Sequence, residues 1–169
     1  MAENKDRAKI TKDMVPEGFT MSLAIVDAIP VLLFAVAIII LGMKAGFSPL
    51  IMLGGFLVFL GGAIKVLWKM IVAAKQKNVY WMYQQMGPVM GVGFLLIVIG
   101  CILSRAELKA AFANIGPASI VFFAFWFFGM SLMGFFAKKL DSSDPKSNWI
   151  EQGTNGVAEL CLCIALALL

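Results

Sequence analysis

Four stretches without a charged residue, 28–43, 45–64, 78–104 and 110–137, divide this chain of 169 residues. Each is near or above the roughly 20 residues that a helix needs to cross about 30 Å of hydrocarbon at 1.5 Å per residue. A fifth, 160–169, reaches that length only when Glu159 and its polar neighbours are included. Backbone N–H and C=O groups in lipid must be satisfied within the chain, so runs of this length imply helices. With 61% hydrophobic and 14% charged residues, the chain departs from soluble domains, which hold about 45–50% and about 25%. The expected fold is all-α: a polytopic membrane protein, a compact bundle of five transmembrane helices with a short external amphipathic helix. Residues 1–20 are expected to form a cytoplasmic amino-terminal segment. Residues 21–169 form one transmembrane bundle, with spans at about 21–43, 49–74, 86–103, 117–137 and 153–169.

Local chemistry punctuates these runs. Pro16 and Gly18 stop any helix before the membrane, and Glu3, Asp6, Asp13 and Glu17 are inconsistent with a cleavable signal peptide, so the first span is expected to be retained. Pro30 is expected to kink or loosen that span. A turn near Gly46 and Ser48 leads to the second. A loop over 75–85 carries Tyr80, Trp81 and Tyr83, the composition of an interface belt. Ser104 and Glu107 stand at capping-box spacing, and Leu108, Ala111, Phe112 and Ile115 then recur at helical spacing. That pattern predicts the external surface helix. The fourth span is crowded with Phe122, Phe123, Phe125, Trp126, Phe127 and Phe128, which suits a face toward lipid or a partner. Asp141, Ser142, Ser143 and Asp144 make a polar loop, with Asp144 and Pro145 suited to start a helix.

Basic residues set the expected orientation. With the amino terminus inside, ten lie on cytoplasmic segments and span ends: Lys5, Arg7, Lys9, Lys12, Lys69, Lys75, Lys77, Lys138, Lys139 and Lys146. Only Lys44, Arg105 and Lys109 lie outside. This positive-inside bias predicts a cell-membrane protein with its amino terminus in the cytoplasm and its carboxyl terminus outside. The net charge of +4 therefore reflects topology, and no nucleic-acid partner is expected.

Polar residues inside the spans mark the candidate site. Asn148, Gln152, Asn155 and Glu159 follow at spacings of four, three and four, so they share one face of the last helix. Asp27 and Lys65 fall within other spans, at a depth expected to match that of Glu159. A charge at the centre of a span costs about 2.5–3.5 kcal/mol even on the lenient insertion scale, which favours pairing of Lys65 with Asp27, Glu159 or both. In the second span Gly54, Gly61, Lys65, Lys69 and Gln76 share a face; in the third, Gln84, Gly87, Pro88 and Gly91 do, with Gly87 and Gly91 spaced for close helix contact. The expectation is a cytoplasm-facing cavity lined by Asp27, Lys65, Lys69, Gln84, Gln152, Asn155 and Glu159.

Enzymatic and metal chemistry find little footing. There is no His, and Cys161 and Cys163 point to opposite sides of a helix, so neither a metal site nor a dithiol centre is expected. No nucleophile elbow or phosphate loop is present, and neither catalytic residues nor a cofactor are expected. The expected function is a small transporter or channel-like protein handling a small polar or charged solute, with Lys65 and Lys69 suited to an anionic group. The alternative is a non-catalytic membrane subunit that docks a larger complex through small-residue faces such as Ala24 and Ala28. The partners are the lipid bilayer, the solute, and further copies of the chain or a membrane partner subunit.

Overall fold

The structure is a computed structural model and describes residues 10–16, 18–113, 115–140 and 144–169. Among them are seven helices and no strand: α1 (Met21–Lys44), α2 (Pro49–Lys75), α3 (Tyr80–Gln84), α4 (Met86–Leu103), α5 (Arg105–Phe112), α6 (Pro117–Lys139) and α7 (Pro145–Ala167). Four helical stretches, α1, α2, α3 with α4, and α6, are long and apolar enough to cross a membrane. Most of the basic amino-terminal lead and the polar loop at Asp141, Ser142 and Ser143 lie outside the described residues.

Helix ends follow from their caps. Thr20 Oγ1 accepts the Leu23 N–H to open α1, which runs unbroken through Pro30 to Lys44. It closes in a Schellman turn: Gly46 takes φ +65°, and the Phe47 N–H reaches back 2.6 Å to the Gly42 carbonyl. Asp144 accepts both the Ser147 N–H at 2.8 Å and the Ser147 hydroxyl at 2.7 Å. These bonds hold the Asp144 carboxyl below the usual carboxylate range. They also start α7 at Pro145, the helix start expected from Asp144 and Pro145, eight residues before the span boundary expected at 153. Two further expectations need correction. Tyr80–Gln84, expected as loop, is a helical turn leading almost directly into α4, and Ser104 makes no side-chain cap bond, so α5 forms without its capping box.

The long helices pack in a curved row around one groove. α4 packs on α2, α2 on α1, α1 on α7 and α7 on α6, while α4 and α6 make no close backbone contact among the described residues. α2 explains the curvature. Its paired glycines, Gly54 with Gly55 and Gly61 with Gly62, recur at seven residues, and neighbours in sequence point about 100° apart. Gly54 and Gly61 turn to α4, where a Cβ on Gly54 would fall 2.5 Å from the Gly93 carbonyl oxygen and one on Gly93 would fall 2.7 Å from that of Gly54. Gly55 and Gly62 turn instead to α1, against Ile38 and Val31. Gly87 and Gly91, expected to make the close contact, face open space; Gly93 and Gly100 make it.

At the other end of the row, Ser119 of α6 donates to the Ala165 carbonyl at 2.8 Å and Gly129 lies on Ala158, so α6 and α7 run antiparallel. The Cys163 thiol donates to the Leu33 carbonyl of α1 at 3.1 Å, beside Ala37 and Leu166.

Gly54→Ala should destabilise the protein by about 1–3 kcal/mol, because the crowding atom at Gly54 is backbone and cannot rotate away. Gly91→Ala should be neutral or stabilising by up to about 1 kcal/mol through helix propensity. Thermal unfolding in detergent separates the two, and equal losses at both positions would contradict the packing assigned to α2 and α4.

Candidate functional site

Two polar centres lie inside the row, at different depths. By helix rise, Asp27 is about 9 Å from the start of α1 and Lys69 about 9 Å from the end of α2, whereas Glu159 is about 21 Å from the start of α7. The shared depth expected for Asp27, Lys65 and Glu159 is therefore not found. The early start of α7 carries Glu159 toward the middle of the bundle.

The shallower centre is an ion cluster. Lys69 and Asp27, each 2% exposed, approach to 3.2 Å at Oδ2, off the hydrogen-bond direction, so the contact is an ion pair and not an aligned hydrogen bond. Lys69 donates instead to Asn148 Oδ1 at 3.0 Å, and Asn148 Nδ2 donates to the Asp144 carbonyl at 3.0 Å. The Phe19 ring lies 5.6 Å from the ammonium, within cation–π range. Lys65, more exposed, stands 3.9 Å from Asp27 Oδ1. Glu151, half buried, is within electrostatic reach of both lysines. The two lysines thus face two carboxylates, and Lys65 pairs with Asp27 but not with Glu159.

A lid of chain covers this centre. Ile10 and Phe19 are each 4% exposed and cluster with Leu23, Trp68 and Val72. Trp68 Nε1 donates to Asn78 Oδ1 at 3.0 Å, and Asn78 Nδ2 donates to the carbonyls of Thr11 at 2.9 Å and Met14 at 2.6 Å. Sequence reasoning missed this fold-back and the parts of Asn148, Glu151 and Phe19. Among these, the spacing of Asn148 with Gln152 carried a usable signal.

The deeper centre is a groove of about 240 Å³ where five helices converge. Pro30 and Phe34 of α1, Phe59 of α2, Met90 and Phe94 of α4, and Met130 and Met133 of α6 form its apolar wall. Asn155 and Glu159 of α7 are its polar members. Glu159 is 6% exposed, and its Oε2 has no hydrogen-bond partner among the described residues. An ionised carboxylate held there without a counter-charge costs several kcal/mol, so the position calls for a proton or a cation. Of the remaining expected lining residues, Gln152 is buried on the same face of α7, while Gln84 is exposed on α3 and joins neither centre.

The chain is thus an all-helical protein with four stretches suited to crossing a membrane. Comparison with protein-family models, curated proteins and solved structures finds no match.

Lys69→Met should destabilise by about 3–5 kcal/mol, since it strands the Asp27 carboxylate in a buried position. Adding Asp27→Asn should recover about 1–3 kcal/mol as coupling between the pair. Lys69→Met with Glu159→Gln should show simple additivity. Coupling of Lys69 to Glu159, measured by the same double-mutant cycle, would overturn the separation of the two centres.

Proposed function

We propose that this protein is a small integral membrane transporter or channel-like protein in which Glu159 is the solute- or proton-binding carboxylate. The observation that carries this reading is the unpartnered, buried Glu159 oxygen on the wall of a groove shared by five helices. Intramembrane ionisable groups are costly to keep, and a group with no structural partner needs a reason beyond packing. Asn155, one turn away, supplies a second polar contact for a polar or charged solute. Asp27, Lys65 and Lys69 serve as the latch that joins α1, α2 and α7.

In this reading α7 is a fifth crossing. Its 23 residues extend about 34 Å, and it runs between α1 and α6 with Asn148 at Lys69 near one end and Ala165 at Ser119 near the other. Its hydropathy is diluted because Asn148, Gln152 and Glu159 are buried against protein. The amino terminus lies inside the cell membrane and the carboxyl terminus outside, as the ten-to-three distribution of basic residues supports. α5 then lies on the external surface, beside the turn at Gly46.

The alternative, a non-catalytic subunit of a larger complex, draws on a separate observation. α4 and α6 leave a gap, and Gly87, Gly91, Gly134 and Gly153 have nothing within 4 Å of where a Cβ would stand. A helix of a partner, or of a second copy, would pack on such surfaces.

Uptake into proteoliposomes of a panel of inorganic ions, amino acids, organic acids and organic amines decides between them. Wild-type protein should carry at least one class, and Glu159→Gln should abolish that flux while leaving expression and unfolding temperature nearly unchanged. No flux across the panel, with a defined membrane partner co-purifying, would favour the subunit. For topology, single cysteines placed over 105–112 in a cysteine-free background should react with an impermeant maleimide on intact cells. Reaction instead near position 78 would invert the orientation.

A further inference from the structure

We infer that the groove at Glu159 is a binding site for a monovalent amphipathic organic cation: a quaternary or tertiary ammonium carrying an apolar body about the size of one aromatic ring. The inference deepens the reading of Glu159 as a solute-binding carboxylate and rests on it. Charge comes first. Among the described residues, no lysine or arginine lines the groove, and Lys69 is committed to Asp27 and Asn148. The one carboxylate on the wall, Glu159, has an oxygen with no donor, so the missing partner is positive or a proton donor.

Hydration decides which cation. Small inorganic cations are held by several oxygen ligands that replace their water, and a primary ammonium is a compact, strongly hydrated charge. Here the polar wall is Glu159 and Asn155, and the rest is Phe, Met, Val, Gly and Pro. Such a wall cannot replace a tight hydration shell. A quaternary ammonium, whose charge is spread over alkyl groups, gives up little water on entry and fits aromatic and methionine surroundings. Phe34 and Phe94 meet edge to face across α1 and α4 at 6.0 Å, and Phe59 adds a third ring. Met90, Met130 and Met133 are flexible enough to close on ligands of differing shape.

Size sets the apolar body. An apolar cavity of about 150 Å³ holds a benzene molecule, so the 240 Å³ of this groove admits one ring with a small cationic head. A neutral apolar occupant would fill the space and leave the carboxylate unpaired. A cation with an apolar body satisfies both parts at once.

The test uses the full chain in nanodiscs and benzyltrimethylammonium as probe, with calorimetry as the readout. Saturable one-site binding is expected, at least tenfold tighter than that of benzyl alcohol or of tetramethylammonium, which lack the charge and the ring respectively. Glu159→Gln should weaken it at least tenfold, whereas Glu151→Gln, an acid of the other centre, should not. Met90→Trp narrows the groove while leaving Glu159 in place, and should also weaken binding at least tenfold. That variant keeps the proposal testable if Glu159→Gln does not fold. Binding no tighter than that of benzyl alcohol, or unchanged in a folded Glu159→Gln protein, overturns the inference. Flux of another solute with no binding of the probe would sink the cation class and leave transport standing. Saturable binding of the probe with no flux of any solute in the panel would leave the cation site standing and sink transport.

Discussion

The close approach of α2 to its two neighbours is the constraint on which the rest of the structure depends. A helix with one small-residue face docks one partner; α2 has two, because its glycines come in adjacent pairs seven residues apart. Each pair gives one glycine to α4 and one to α1, and the roughly 100° between them bends the row at α2. Without hydrophobic drive between helices in lipid, such close contacts supply much of the association. The bend gives the row an inner side. Phe59 and Val58 of α2 face it, together with residues from the four other long helices, and the groove at Glu159 is the space left there.

Burial without water then sorts the polar groups. Every charge moved into a dry interior must find a counter-charge or hydrogen bonds. The cluster around Lys69 meets that demand internally, through Asp27, Asn148, Phe19 and the nearby Glu151. Its cover is apolar chain, Ile10 and Phe19, fastened by Asn78 to the carbonyls of Thr11 and Met14. A cluster so covered binds helices to one another.

How much of this was legible in the sequence depended on whether the signal was periodic. Apolar length read together with turn residues located α1, α2, α4 and α6 to within about two residues, because in lipid backbone satisfaction leaves few alternatives to a helix. The spacing of Asn148, Gln152, Asn155 and Glu159 put them on one face, of which Asn148, Gln152 and Glu159 are buried and Asn155 is half-buried. Depth was a different matter. Hydropathy placed the boundary of the last span at 153, although Asp144 and Pro145 marked the helix start that the structure has; with Asn148 held at Lys69, Glu159 is shifted eleven residues, about 16 Å, along α7 from that level. That shift separates it from Asp27. Gln84 was assigned to the cavity by its face on an assumed continuous third span, but α3 ends there and the side chain is exposed. The lid over Lys69 had no periodic signature, because residues 10–16 fold back as irregular chain held by side-chain bonds from Asn78.

The two polar centres differ in one physical respect, and their roles follow from it. Around Lys69 the two lysines have two carboxylates, and the central contacts lie within the protein, so nothing from outside is needed to complete them. Around Glu159 no side chain among the described residues donates to Oε2, although Asn155 lies one turn away on the same wall. Removing Glu159's charge would cost little packing and would relieve an unpaired group, so stability alone would favour glutamine or leucine there. On the proposed reading, a carboxylate at this position is completed by something that arrives, a proton or a cation. Among the described residues α4 and α6 make no close backbone contact, so the contacts that α2 makes do not depend on that side of the row.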